Sequence, residues 1–277
     1  MKKTAIFKIA LSSLAAIMPL SGVMAADVVK AADKVSKPVI GINCDVQGDK
    51  PRKISINNLY IDAIEKAGGV PLLLPPMSAE NLAQIMPQLD GVMMIGGDDY
   101  PPELYGAKPH ASVSIMEKSR SDFDMSLVKN VIADKGLPFM GICAGSQALN
   151  IGAGGTLIQD IPSHNLKSEV MHASKDGWQK GFNSHIVELA PEGKLAKILE
   201  HKSVTEPTSH HQSVDKLGKG VKAIASTADG IVEGIEMPEH DFVVGVQFHP
   251  ERAYERNEKL FAEFIKHAAE HRAKRGQ

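Results

Sequence analysis

The sequence predicts an α/β fold in a single domain, with a mostly parallel central sheet flanked by helices. Three observations carry this. Short apolar runs alternate with stretches of helical periodicity through the first half of the chain. The runs are apolar throughout, as strands buried on both faces require. The resulting β-α-β-α order joins successive strands by helical crossovers, which makes them parallel.

The elements follow in order. Pro38–Asn43 (PVIGIN) reads as the first buried strand. Ile56, Leu59, Tyr60, Ala63, Ile64 and Ala67 recur at helical spacing, and Gly68-Gly69 ends that helix. Val70–Leu74 is the next strand, stopped by Pro75-Pro76, and Ser78 can cap a helix over Ala79–Met86. Gly91–Ile95 forms a third strand closed by Gly96-Gly97. Phe123, Leu127, Val128, Val131 and Ile132 mark a longer helix. Pro138–Ile142 is another strand, followed at once by a small-residue turn and a helical stretch. The second half is richer in strands, with candidates at His185–Leu189, Val221–Ser226, Ile231–Glu236 and Phe242–Phe248. A last helix, Glu258–Ala269, carries Leu260, Phe261, Phe264, Ile265 and Ala268 on one face.

Composition narrows the function. Of 277 residues, 43% are apolar and 23% charged, which allows a sizeable core and excludes a disordered, collagen-like or polytopic membrane chain. The formal net charge of −2 shows no basic excess, so no nucleic-acid partner is expected. Two cysteines are too few for a disulfide scaffold or a four-cysteine zinc site.

Residues 1–25 read as a secretory signal peptide. Lys2, Lys3 and Lys8 give a positive start, an apolar stretch runs from Ile9 to Val23, and Val23-Met24-Ala25 offers a cleavage site. Ser12, Ser13 and Pro19 interrupt the stretch, which argues against a membrane-spanning helix. Residues 26–36 are expected to be a flexible leader, with the folded domain over 37–272. The expected location is therefore periplasmic or secreted, with no stable membrane association after cleavage.

Cys143 is the nucleophile candidate. It sits between a buried strand and a helix in LPFMGICAGSQALNIGA, bracketed by Gly141 and Gly145. Glycines permit a tight turn that lifts a nucleophile out of the sheet. The positive end of the following helix favours negative charge at the sulfur. The Ala144 amide would face the same point, where it could hold an oxyanion. The blander reading is a buried structural cysteine.

His249 is the base candidate and Glu251 its orienter. A hydrophobic strand ends in His249-Pro250-Glu251, and proline favours extended geometry for the residue before it. Residues two apart on an extended chain share a face, so the carboxylate can fix the imidazole. Taken alone, the triplet is also what a capping histidine and a surface acid would look like.

Together these segments resemble the class I glutamine amidotransferase-like superfamily, whose fold is flavodoxin-like. Gly141-Ile-Cys143-Ala-Gly145-Ser-Gln147 is similar to its nucleophile segment and Val246-Gln-Phe-His249-Pro-Glu251 to its His/Glu segment. Ile95-Gly96-Gly97-Asp98 is similar to its oxyanion loop. The wider pattern is closest to the gamma-glutamyl-gamma-aminobutyrate hydrolase family. That likeness rests on Val39–Ile42, Tyr60–Ala63, Gly68–Pro71, Pro102–Gly106 and Ser209–Leu217, and covers roughly residues 37–270.

The resemblance implies a hydrolase of the γ-glutamyl amide bond with a Cys143–His249–Glu251 triad, a thioester intermediate and an oxyanion hole of Gly97 and Ala144 amides. It implies a small γ-glutamyl substrate touched by Gly96, Asp98, Gln147, His210, His211 and Gln212. Position 144 departs from the nearest relatives, where it is often arginine, so a side-chain contact is absent here. Asp98-Asp99 is also ordinary turn chemistry, and His210-His211-Gln212 could line the pocket or bond within its loop. Trp178 has no role that the pattern assigns.

No cofactor is expected. No metal is expected either, because the eleven histidines show no HExxH and no paired spacing with cysteine. A homodimer is left open. The alternatives are a glutaminase component of an amidotransferase complex and an inactive binding protein on the same fold. Cys44 follows the first strand as Cys143 follows a later one, which places both at one sheet edge. Cys44 is expected to stay a lone thiol.

Overall fold

The computed structural model describes residues 36–48 and 51–276. The expectation of a signal peptide at 1–25 lies outside the described residues, and so does that of a leader at 26–36 except for Ser36. The stretch Lys37–Gln277 packs as one unit.

The elements of that unit, in chain order, are β1 Val39–Asn43, β2 Asp45–Gln47, β3 Lys53–Ser55, α1 Asn58–Lys66, β4 Val70–Leu74, α2 Ala79–Ile85 and β5 Gly91–Met94. Then come α3 Lys118–Ala133, β6 Phe139–Ile142, α4 Ala144–Gly152, β7 Leu157–Ile158, α5 Ile161–His164 and β8 Asn183–Leu189. The chain closes with α6 Lys194–Leu199, β9 Ser203–Thr208, β10 Ser213–Val214, β11 Lys222–Ser226, β12 Val232–Glu236, β13 Val243–Val246 and α7 Tyr254–Lys274. Nine strands form one sheet in the order β4-β1-β5-β6-β13-β12-β11-β8-β9. The pairs from β4 to β13 are parallel and those from β13 to β9 antiparallel.

Strand alternation sorts the core into two layers. Ile40, Ile42, Met93, Met140, Ile142, Val244 and Val246 face one way and pack with Ile64, Leu260, Phe261 and Phe264 of α1 and α7. Val92, Met94, Phe139 and Val243 face the other way, toward Leu82, Phe123, Leu127, Val131 and Leu149 of α2, α3 and α4. Burying side chains of this size contributes about 1.5–3 kcal/mol each. Gly68 adopts φ +97° just past α1, the left-handed stop that a glycine makes cheap.

The sequence pattern placed the parallel strands within a residue or two. The helix marked by Phe123–Ile132 starts earlier, at Lys118, because the Glu117 carboxylate caps it by accepting from the amides of Ser119 (2.7 Å) and Arg120 (3.3 Å). Several features had no counterpart in the pattern: the β2–β3 hairpin, the β7–β10 pair, the edge strand β9 and the short helices α5 and α6. Among the described residues, no helix is long and apolar enough to cross a membrane.

Candidate active site

The parallel strands β1, β5, β6 and β13 all end at one edge of the sheet, and the candidate residues gather there. β6 runs straight into Cys143, which takes φ +52° and ψ −109°, a conformation L-residues rarely adopt. Three hydrogen bonds hold it. The Cys143 amide donates to Val246 O on β13 at 2.8 Å, and the Cys143 carbonyl accepts from Ser146 N (3.0 Å) and Gln147 N (3.1 Å).

The bracketing glycines serve close approach, while the strained conformation belongs to the cysteine itself. A Cβ at Gly141 would lie 2.6 Å from Gly145 O, and one at Gly145 would lie 2.3 Å from Met94 O. A Cβ at Gly245 would meet Ser146 Oγ at 2.5 Å. Bare backbone at these positions lets α4 sit directly on the sheet with its N-terminus at the sulfur.

His249 and Glu251 approach from β13. His249 Nδ1 lies 2.8 Å from Glu251 Oε1, and the ring and the Cys143 side chain both lie against Gly96. All three side chains are buried. The expected reason for the His–Glu contact, an extended chain, is not the one observed. His249 ends the extended segment at φ −112°, ψ 80°, and Pro250–Ala253 forms a 3₁₀ turn that folds Glu251 back onto the imidazole. The edge strand β9 fixes the backbone here, since His249 N donates to Pro207 O at 2.8 Å. Phe182 packs edge-on against the ring with centroids 4.9 Å apart.

Burial opposes a charge on His249, but the Glu251 carboxylate and the Cys143 side chain outweigh it and lift the imidazole to about 10. The ring therefore carries its proton at neutral pH. Tyr60 stands beside the site, its hydroxyl held well above its usual range by burial and by the charges of Glu251 and Cys143. It accepts a hydrogen bond from Gly96 N at 3.3 Å.

The Gly96–Gly97 loop is held from behind by Arg120, which sequence reasoning missed. The Arg120 guanidinium donates to Gly96 O at 2.8 Å and Ile95 O at 3.3 Å. It is buried and paired with Asp45 (2.8 Å) and Asp124 (3.3 Å). Asp124 also accepts from Asn43 Nδ2 (2.8 Å) and Tyr100 Oη (2.6 Å), and Asn43 Oδ1 in turn accepts from Ile95 N (2.8 Å). A Cβ at Gly97 would lie 2.6 Å from Arg120 Nη1, so only glycine fits against this guanidinium.

Gln247 was missed too. Its Nε2 approaches Cys143 Sγ at 3.4 Å, and its Oε1 accepts from Gln147 Nε2 at 3.1 Å. The signal was available, because Gln247 precedes His249 by two residues and strand alternation turns both the same way.

The remaining candidates divide. Gln147, His210, His211 and Gln212 line the cleft beside Cys143, together with Gly97 and Trp178. Asp98 is exposed and does not line it, whereas Asp99 does. His211 bridges Asp99 (3.0 Å) and Asp160 (3.3 Å), and Trp178 stacks on it at 5.1 Å and 8°. Burial opposes charge on His211, but these carboxylates raise it above its usual value.

Both cysteines are free and buried, and burial pushes the Cys44 thiol up. Cys44 is 1% exposed against 7% for Cys143. Iodoacetamide should therefore alkylate Cys143 first, read by peptide mass spectrometry. The chain unfolded without reductant should report two thiols to a thiol dye, and equal labelling of both in the folded chain would contradict this geometry.

Comparison with known proteins fits this geometry. The profile of the family described as peptidase C26 matches residues 38–251. A gamma-glutamyl-gamma-aminobutyrate hydrolase of Escherichia coli O157:H7 is 29% identical over 256 residues, covering 87% of this chain and 97% of its own. A Mycobacterium tuberculosis protein provisionally named a glutamine amidotransferase is 30% identical over 249 residues, covering 87% and 78%. Among solved structures, a glutamine amidotransferase of Thermotoga maritima superposes with a TM-score of 0.54 at 16% identity, over 85% of this chain and 97% of that one. With matching motifs, a match over most of the domain and a shared fold, the chain belongs to the peptidase C26 family of class I glutamine amidotransferase-like proteins.

Proposed function

We propose that the protein is a γ-glutamyl hydrolase that works through a Cys143 thioester. The carrying observation is the strained Cys143 beside a buried imidazole whose Nδ1 lies 2.8 Å from Glu251, both packed against Gly96. In this reading Sγ attacks the γ-carbonyl carbon, and the oxyanion is held by the amides of Gly97 and Ala144. His249 gives its proton to the leaving amine as the C–N bond breaks. It then takes a proton from water, which attacks the thioester and releases glutamate and the thiol. Arg120 supports the oxyanion role by anchoring the Ile95 and Gly96 carbonyls on the far side of the loop.

The glutamyl end would meet the Asp99 carboxylate and the His211 ring paired with it, which stand together in the cleft. A neighbouring cavity of about 430 Å³ shares Trp178, His210 and His211 with that cleft and is lined further by Ile161, Val170 and Met171. Its apolar wall suits an amine carried on a hydrocarbon chain.

Hydrolysis of γ-glutamyl anilide by the isolated chain tests the reading. Ammonia release that occurs only with a partner synthase would instead favour a glutaminase component, the reading that the M. tuberculosis relative's name supports. Export belongs to the same proposal and rests on residues 1–25. The periplasmic protein should begin at Ala26, and a chain retaining Met1 would refute export.

His249 also sets a pH limb. Its proton is needed by the leaving amine, so activity is present below its folded value and lost above it. kcat/KM should fall as pH rises through about 10. Glu251→Gln removes the largest influence that raises this value, so the limb should move to lower pH. A limb that stays in place would remove Glu251 from this role.

A further inference from the structure

Behind the cleft lies a cluster of which the hydrolytic reading uses only His210, as a lining residue. His172, His185, His210 and Glu233 are buried, and one ligand atom from each lies within 4.8 Å of all the others. They come from four segments: the loop before β8, β8 itself, the β9–β10 loop and β12. The sheet makes room for them. His185 lies three residues beyond the last β8–β11 pair, Glu188 with Ser226. Glu233 stands at the register shift between the Ala225–Gly234 and Ser226–Val232 pairs, where a bulge redirects a side chain.

Proton accounting makes the cluster unusual. His172 Nε2 lies 3.1 Å from Asp229 Oδ2, an acceptor, so that nitrogen carries the proton. His210 Nδ1 lies 2.9 Å from the Gln212 carbonyl and carries its proton for the same reason. In the neutral rings, the nitrogens left bare are His172 Nδ1 and His210 Nε2. Both face Glu233 Oε1, at 3.2 and 3.3 Å, while His185 Nε2 faces Oε2 at 3.4 Å. Those three nitrogens and both Glu233 oxygens are buried, and none makes a hydrogen bond of acceptable geometry.

Lone pairs facing lone pairs in a buried site need a positive charge between them. A single proton on His172 Nδ1 would leave His210 Nε2 still bare against the carboxylate, and burial opposes charging both rings. One dication would take a lone pair from each of the four groups at once, leaving only the far nitrogen of His185, Nδ1, without a partner. With the carboxylates of Glu233 and Asp229 beside it, the site is neutral.

We infer that His172, His185, His210 and Glu233 form a closed, four-ligand zinc site. Zinc bonds of about 2.0–2.1 Å in a tetrahedron place ligand atoms about 3.3–3.4 Å apart. Glu233 Oε1 meets that spacing with two nitrogens, His172 Nδ1 at 3.2 Å and His210 Nε2 at 3.3 Å, while His185 Nε2 faces the other oxygen at 3.4 Å and the four ligand atoms lie within 4.8 Å, so a bound ion would draw them closer together. The rings meet edge to face, at 82°, 64° and 74°, as ligands splayed around one point do. Asp229 and the Gln212 carbonyl orient two of the three imidazoles from outside, the usual support for a metal-bound histidine. Three imidazoles with one carboxylate suit zinc better than magnesium or calcium, which prefer oxygen. Four protein ligands leave no open position, so the role is structural. The ion would pin the loop carrying Trp178 and the segment carrying His211 to the sheet, independently of which amide is cleaved.

The test uses the whole chain, purified without chelator. Metal analysis should find about one zinc per chain, and His185→Ala should lose it. Dipicolinate should lower the thermal midpoint, and added zinc should restore it. Should the variant fail to fold, the unaltered chain grown with cobalt(II) in place of zinc still decides. Four-coordinate cobalt gives an intense visible absorption that zinc bleaches. A weak six-coordinate cobalt spectrum, or zinc content in the unaltered chain no higher than in His185→Ala, overturns the site.

Discussion

Cys143→Ala should reduce γ-glutamyl anilide hydrolysis by roughly 10⁴–10⁶-fold, the scale of removing a nucleophile that acts as part of a unit. The same change should leave the thermal midpoint nearly unmoved. The strained backbone at position 143 is held by its own amide and carbonyl, through Val246 O, Ser146 N and Gln147 N, and none of these bonds involves the sulfur. The hydrogen bond from Gln247 to Sγ, at 3.4 Å, is made to a weak acceptor, so little is lost with it. A folded Cys143→Ala chain that hydrolyses the anilide at the original rate would end the covalent mechanism.

Arg120→Met should be costly in a second way, through both stability and rate. Breaking a buried ion pair leaves its partner uncompensated and typically costs about 3–5 kcal/mol. Asp124 would be that partner, at 0% exposure, with Asn43 and Tyr100 still bonded to it. The Ile95 and Gly96 carbonyls would lose their anchor, so the loop carrying the Gly97 amide would no longer be held against Cys143. Removing one oxyanion donor costs about 10²–10³ in rate. Adding Asp124→Asn should recover part of the stability, by denaturant unfolding, without recovering kcat. Full activity in Arg120→Met would show that the loop holds itself.

The two cases differ in how legible they were. Cys143 stands out because its chemistry is local, with an apolar strand, a bracket of glycines and a helix in one stretch of chain. The parallel strands were readable for a related reason, since burial on both faces writes an unbroken apolar run. Arg120 was hidden, because a charged residue in a helix with Lys118, Asp122 and Lys129 reads as solvated surface. Its burial depends on Asn43, Asp45 and Tyr100, which are distant in sequence. The strand β9 was hidden by composition, because Ser203–Thr208 (SVTEPT) is mostly polar and contains a proline, which a sheet tolerates at its edge. The histidine cluster draws on positions 172, 185, 210 and 233, a spacing no short motif covers. Asp98 and Asp99 are adjacent and chemically alike, and only the turn's geometry decides which enters the cleft.

The pairing of β6 with β13 has a consequence for folding. Val246 lies beside Ile142, and its carbonyl holds the Cys143 amide, yet about a hundred residues of chain separate the two strands. Contacts of such long sequence separation are slow to form, because the loop between them must first be closed. The left-handed conformation at Cys143 is therefore imposed late, by a strand from the far end of the chain. A nascent chain that has emerged only as far as α4 carries the whole nucleophile motif but an unstrained cysteine with no imidazole beside it. In the proposed mechanism the nucleophile, its base and its orienter therefore come together only when the sheet closes.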